Sequence, residues 1–294
     1  MSDATPMRGI LLIVFGLAAA ALSGAQMKML SEMLPVLLIV WARFAGYFLI
    51  ILPVVLARRT TAIWPPVRPG LQVLRGLCMC SATICFVMGA RTLNFADAIA
   101  ILYAYPFMLT LAAPIFLGEQ VRRAVWIGVA AGFVGVLIVM RPGFDGIGVD
   151  ALWVLGAAVS VTTMLIINRK LGAVTDPLVT SSYGAFIAMV LTAPGMVMHW
   201  QPIGLETLGM LVVLGFTGAI SQTTIVLAFS RAPASDLAVF TYSEIVSAVV
   251  IGFLLFGTWP DGWSWVGIGL IVISGAGVAR AMQGPSTPRR APKI

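Results

Sequence analysis

Glu244 has the sharpest chemical position in this sequence, because it lies about eight residues inside a long apolar run. At 1.5 Å per residue that is roughly 12 Å from the end of the run. A carboxylate there must be protonated, paired or wet. It reads either as a cavity carboxylate that binds a cationic group or exchanges a proton with a solute, or as a structural group bonded to a neighbouring helix. Arg43 sits about a third of the way into another run, and its stem can snorkel outward or reach a carboxylate. A structural intramembrane charge is the favoured reading. Tyr103 and Tyr242 each lie roughly 10 Å deep and offer an apolar ring with a hydroxyl, suited to stacking a ring-bearing solute or closing a gate. Packing alone is the competing role. Tyr105, two residues on, points to a different side of its helix from Tyr103. Gln222, Ser160, Thr163 and Ser23 fall at cavity depth. Gln222 can donate and accept, for a solute or for another helix, whereas helix hydroxyls tend to bond back to their own carbonyls. Pro106 is expected to kink its helix and free a carbonyl near these groups.

Other reactive types are sparse. Cys78, Cys80 and Cys85 share one apolar run, and the single histidine, His199, stands beside Trp200 at a run edge. Buried inert thiols and a water-facing imidazole are the expected states. The chain has neither an H-E-x-x-H nor a P-loop motif. An enzyme is not expected, nor a metal, a cofactor or a nucleic-acid partner.

The elements that must position these groups follow from composition. Of 294 residues 60% are hydrophobic and only 10% charged, with 30 glycines besides. A soluble domain averages about 25% charged residues, and so apolar a chain cannot cover its exterior with what remains. The class is all-α integral membrane. Apolar stretches approximate ten spans, at 8–28, 36–57, 71–91, 96–117, 123–140, 150–168, 177–198, 206–230, 236–256 and 264–281. Each approaches the ~20 residues a helix needs to cross the hydrocarbon, and near-continuous apolarity does not suit a membrane barrel. With the N-terminus in the cytoplasm, 14 Lys and Arg fall inside (Arg75 among them) and 3 outside (Lys28, Arg91 and Arg141). The positive-inside rule then places both termini in the cytoplasm. The first span is expected to be retained rather than cleaved.

A shift of 139 residues aligns the fourth and fifth spans with the ninth and tenth. Asp97 matches Asp236, Tyr103 Tyr242, Gly118 Gly257, Trp126 Trp265, Gly128 Gly267, Val139 Val278 and Arg141 Arg280. The first and sixth spans share a small-residue stretch, Gly16–Ala19 against Gly156–Val159. Five crossings per half would make the repeats, residues 8–141 and 150–281, inverted about an axis in the membrane plane, an architecture of secondary transporters. Pro106 has Ile245 as its mate, so flexing there is expected in one half only. Trp126 and Trp265 are expected to anchor at the interfaces. Gly128 and Gly132 are expected to pack within a monomer rather than to drive dimerisation. Residues 282–294 are expected to form a disordered basic tail near anionic lipid.

The chain resembles the drug/metabolite transporter superfamily, in its ten-helix EamA-type branch. The resemblance rests on Trp41-Ala42-Arg43-Phe44, on Arg75 through Ala90-Arg91-Thr92-Leu93, on Ala98–Pro106, and on Phe116-Leu117-Gly118-Glu119. It continues through Trp126-Ile127-Gly128 to Arg141-Pro142-Gly143, Ala232-Pro233-Ala234-Ser235 and Phe256-Gly257. Thr258 stands where the family often has a second Glu. The resemblance implies a multi-pass solute carrier of the cytoplasmic (inner) membrane. Its cavity would be bounded by the first, third, fourth, sixth, eighth and ninth spans, with the second at the periphery. Its partners would be a small-molecule solute and membrane lipid. Relatives of this branch export amino acids and other metabolites or import riboflavin or S-adenosylmethionine, and the Trp-Ala-Arg-Phe and Ala-Pro-Ala-Ser stretches are most similar to the importers.

Overall fold

The computed structural model describes residues 6–57, 66–118, 123–140, 148–172, 174–232, 237 and 239–283. Arg58, Arg59, Glu119, Arg122, Arg141, Pro233-Ala234-Ser235, Asp236 and the tail from 284 lie outside them. Apolar sequence without water leaves backbone groups to bond within their own segment, and helix does this. The described residues form α1 (Pro6–Ser31), α2 (Val36–Ala57), α3 (Pro69–Ala90), α4 (Phe95–Leu102), α5 (Tyr105–Leu117) and α6 (Arg123–Met140). These are followed by α7 (Gly148–Gly172), α8 (Pro177–Met198), α9 (Leu205–Arg231), a 3-10 turn at Phe240–Tyr242, α10 (Ser243–Phe256) and α11 (Gly262–Gln283). Among the described residues seven helical segments are long and apolar enough to cross a membrane, with Phe95–Phe116 counted as one through its break. Three shorter apolar helices, Val125–Met140, Phe240–Phe256 and Gly262–Val278, accompany them.

Packing is organised by cross-chain pairs. α1 lies against α9 and α10, α3 against α7 and α8, α2 against α8 and α9, and α6 against α11. Several pairs are reciprocal. A Cβ on Gly128 would meet Val278 and the Ser274 carbonyl, while one on Gly267 would meet Val139 and the Gly135 carbonyl. Two of the identities found at a spacing of 139 residues, Gly128 with Gly267 and Val139 with Val278, are therefore partners of one another across the α6–α11 seam. Gly16 faces Ile225 as Gly156 faces Cys85, the same relation at a spacing of 140. Gly118 and Gly257 end α5 and α10 at φ +66° and +63°, where a side chain would be strained. Gly132 packs on the Phe107 ring, so within this chain both glycines of the G-x-x-x-G spacing are occupied.

Three expectations change. The fourth span does not merely kink: α4 stops at Leu102 and α5 restarts at Tyr105, with Pro106 in its first turn, where a missing N–H costs nothing. The second half is interrupted at the equivalent level by the Phe240–Tyr242 turn before α10. The break thus occurs in both halves, although only one has a proline. Thirdly, Lys28 and Arg75 are not loop charges. α1 continues to Ser31, and Lys28 folds back to donate to the Ala90 carbonyl at 2.7 Å and to that of Leu93. Its ammonium also stands 5.4 Å from the centre of the Phe256 ring. A cation there satisfies carbonyls orphaned at the C-terminal end of α3. Arg91, beside it, donates to the Ser31 carbonyl at 3.0 Å. Arg75 is buried within α3. His199 is exposed, and Cys78, Cys80 and Cys85 are free thiols.

Candidate solute-binding site

The two helix interruptions meet. Tyr103, at the end of α4, is fully buried. Its ring lies 5.4 Å from that of Tyr242 and 5.4 Å from that of Tyr105, both tilted. Ring pairs at such separations attract through their quadrupoles. The Tyr103 hydroxyl donates to the Thr241 carbonyl at 2.5 Å and lies 2.8 Å from Glu244 Oε2. Breaking α10 from the preceding turn leaves that carbonyl outside a regular helix, and tyrosine from the other half reaches it. Tyr242 is buried against Gly275 of α11, where any Cβ would collide with its ring.

Glu244 is partly buried, in the first turn of α10. One of its oxygens is held by Tyr103, and Oε1 has no hydrogen-bond partner among the described residues. The charge acting on it from the neighbouring elements is Arg43. Glu244 is the residue 139 positions beyond Tyr105, so the two halves bring a carboxylate and a phenol to equivalent places. A half-open carboxylate beside three aromatic rings can bind a cation and stack a ring, the two halves of recognition for a charged heterocycle.

The remaining candidates separate. Tyr105 joins the cluster, contrary to the expectation that it would point away from Tyr103, because the chain turns between the two. Ser160 bonds back to the Gly156 carbonyl at 2.9 Å and meets the Ser81 hydroxyl of α3 at 3.1 Å. Among the described residues Thr163 bonds only to the Val159 carbonyl of its own helix, at 3.0 Å. Gln222 is partly buried, with no hydrogen bond among the described residues. Arg43 turns toward α1 and α9, its Nη1 reaching Met27 Sδ at 3.2 Å. Thr162 went unnoticed in the sequence: its hydroxyl reaches the Tyr105 carbonyl at 3.3 Å while bonding to Ala158 at 2.8 Å. It differs from the chosen Thr163 by one position, about 100° around a helix.

The pattern that defines the EamA-like transporter family matches residues 7–141 and again 149–280. The chain belongs to that family. It is 25% identical over 263 residues to an S-adenosylmethionine uptake transporter of Rickettsia prowazekii, covering 89% of this chain and 89% of the relative. To a riboflavin transporter of Rhizobium johnstonii it is 31% identical over 195 residues, covering 64% of this chain and 62% of the relative. A solved crystal structure superposes with a TM-score of 0.65 at 20% identity, covering 96% of this chain and 98% of that one, which shows a shared fold. This EamA-family chain is therefore a multi-pass membrane transporter and not an enzyme.

Proposed function

We propose that the transporter is a secondary carrier of a small organic metabolite, working by alternating access as a monomer in the cytoplasmic membrane. Its ten spans form two inverted five-helix repeats, residues 8–141 and 150–281, with both termini in the cytoplasm. The reciprocal contacts of Gly128 with Val278 and of Gly267 with Val139 support that symmetry, as does the inward bias of Lys and Arg. The solute site lies where the two helix breaks meet, formed by Tyr103, Tyr105, Tyr242 and Glu244, with Gln222, Ser160 and Thr163 at its margins.

Of the two solutes in the names of the relatives reported above, S-adenosylmethionine fits this site better than riboflavin. It carries a sulfonium and an ammonium, which can pair with a carboxylate, and an adenine ring, whereas riboflavin carries no cationic group. The observation that carries the reading is Glu244, held on one oxygen by Tyr103 and open on the other. Purified protein in liposomes loaded with unlabelled S-adenosylmethionine is expected to show saturable counterflow of the labelled compound. Glu244→Gln is expected to lower that exchange by roughly 10–100-fold, the worth of one charged hydrogen-bonding partner, with folded protein still recovered. Counterflow of riboflavin alone would reassign the solute.

A further inference from the structure

A second charged group within the spans, Arg43, interacts electrostatically with Glu244. Arg43 presents five N–H donors, yet its one hydrogen bond among the described residues is to the sulfur of Met27, a weak acceptor. It makes no ion-pair contact with Glu244, although each lies within the other's field. Ser23 of α1 is fully buried, and its hydroxyl has no hydrogen-bond partner among the described residues. The two converge on one spot: a Cβ built on Gly218 of α9 would lie 3.5 Å from Arg43 Cγ and Nε and 3.8 Å from Ser23 Oγ. The missing side chain at Gly218 leaves a small cradle bounded by a guanidinium and a free hydroxyl.

Unpaired donors within a membrane span are costly, and an intramembrane charge normally has a partner. A partner that arrives and leaves with the solute removes the contradiction. The guanidinium fork matches a carboxylate in two parallel hydrogen bonds, and a serine hydroxyl adds a third donor.

We propose that Arg43, Ser23 and the Gly218 cradle form a carboxylate subsite, so that the transported solute is a zwitterion whose cationic part lies at Glu244 and whose carboxylate lies at Arg43. This rests on the cation-binding role proposed for Glu244 and sharpens the solute class to an amino-acid-bearing cation.

The test uses a matched pair, S-adenosylmethionine and its decarboxylated form, which keeps the sulfonium, amine and adenine and lacks only the carboxylate. Binding is read by thermal shift and by half-saturation of counterflow on the full-length protein in liposomes. The wild type is expected to prefer the carboxylated compound by roughly 10-fold or more, since a site built for a polar group is left unpaired by an analogue lacking it. Arg43→Met is expected to abolish that preference and Arg43→Lys to reduce it. Ser23→Ala, which removes no hydrogen bond made among the described residues, and Gly218→Ala, whose methyl fits without collision, are expected to weaken it in folded protein. Equal affinity for the pair in the wild type, or a preference unchanged in Arg43→Met and Gly218→Ala, overturns the subsite and leaves the cation site standing. Absence of any response to either compound overturns the proposed solute class and the subsite together.

Discussion

Arg75 and Arg43 are both arginines within apolar helices, and the structure treats them in opposite ways. Arg75 is surrounded by acceptors: its Nε donates to Asn168 Oδ1 at 2.6 Å and its Nη1 to the Thr180 carbonyl at 2.9 Å, with Met79 Sδ at 3.2 Å. Gly184 of α8 makes room for the guanidinium, because a Cβ there would collide with Nη1. The side chain thus ties α3 to α7 and α8. Arg43 has the same chemistry and one weak sulfur acceptor. A charge anchored by oxygen acceptors on two neighbouring helices holds a structure together, whereas one with a single sulfur acceptor among the described residues keeps most of its donors for other use. Intramembrane position alone does not separate the two cases.

The contrast can be broken most directly at Arg75. Arg75→Met removes the charged donors to the half-buried Asn168 amide oxygen and to the Thr180 carbonyl and is expected to destabilise the protein by about 2–5 kcal/mol, read as a lowered thermal transition in detergent. Arg43→Met removes a charge with little to lose and is expected to alter stability by less than about 1 kcal/mol. Equal losses from the two would erase the distinction. A smaller effect is expected at Tyr103→Phe, which removes the hydroxyl shared by the Thr241 carbonyl and Glu244. Its counterflow should fall by roughly 10-fold, about 1.4 kcal/mol, within the range of a charged hydrogen bond. The smallest comparison is between neighbours on α7. Thr162→Val cuts the link to the Tyr105 carbonyl and is expected to cost about 1 kcal/mol in thermal stability. Thr163→Val loses only a bond to its own helix and should stay within about 0.5 kcal/mol.

Particular residues show how far the sequence could be read. The pairing of Gly128 with Val278 and of Gly267 with Val139 was visible as matched identities, since close helix approach selects the same small and branched residues on both sides of a seam. The positive-φ glycines that end α5 and α10 were visible for a related reason: few other residues accept that conformation. Lys28 and Arg75 were misplaced because the polarity of a side chain marks a span end only when the charge reaches water. Both instead found carbonyl or amide acceptors inside the protein. The break before α10 carries no proline as a marker, and helical spacing does not place Tyr105 relative to Tyr103 because the helix stops between them.

The membrane class, the approximate course of the long apolar helices among the described residues and the family followed from the chain alone, because apolar length and backbone hydrogen bonding allow few alternatives in hydrocarbon. Which polar groups face one another did not, since that depends on where helices are interrupted and on how much of each side chain's hydrogen bonding is already used. Two breaks brought Tyr103, Tyr105, Tyr242 and Glu244 into one cluster. Only the folded neighbourhood distinguishes Arg75, held by oxygen acceptors on two other helices, from Arg43, held by one sulfur.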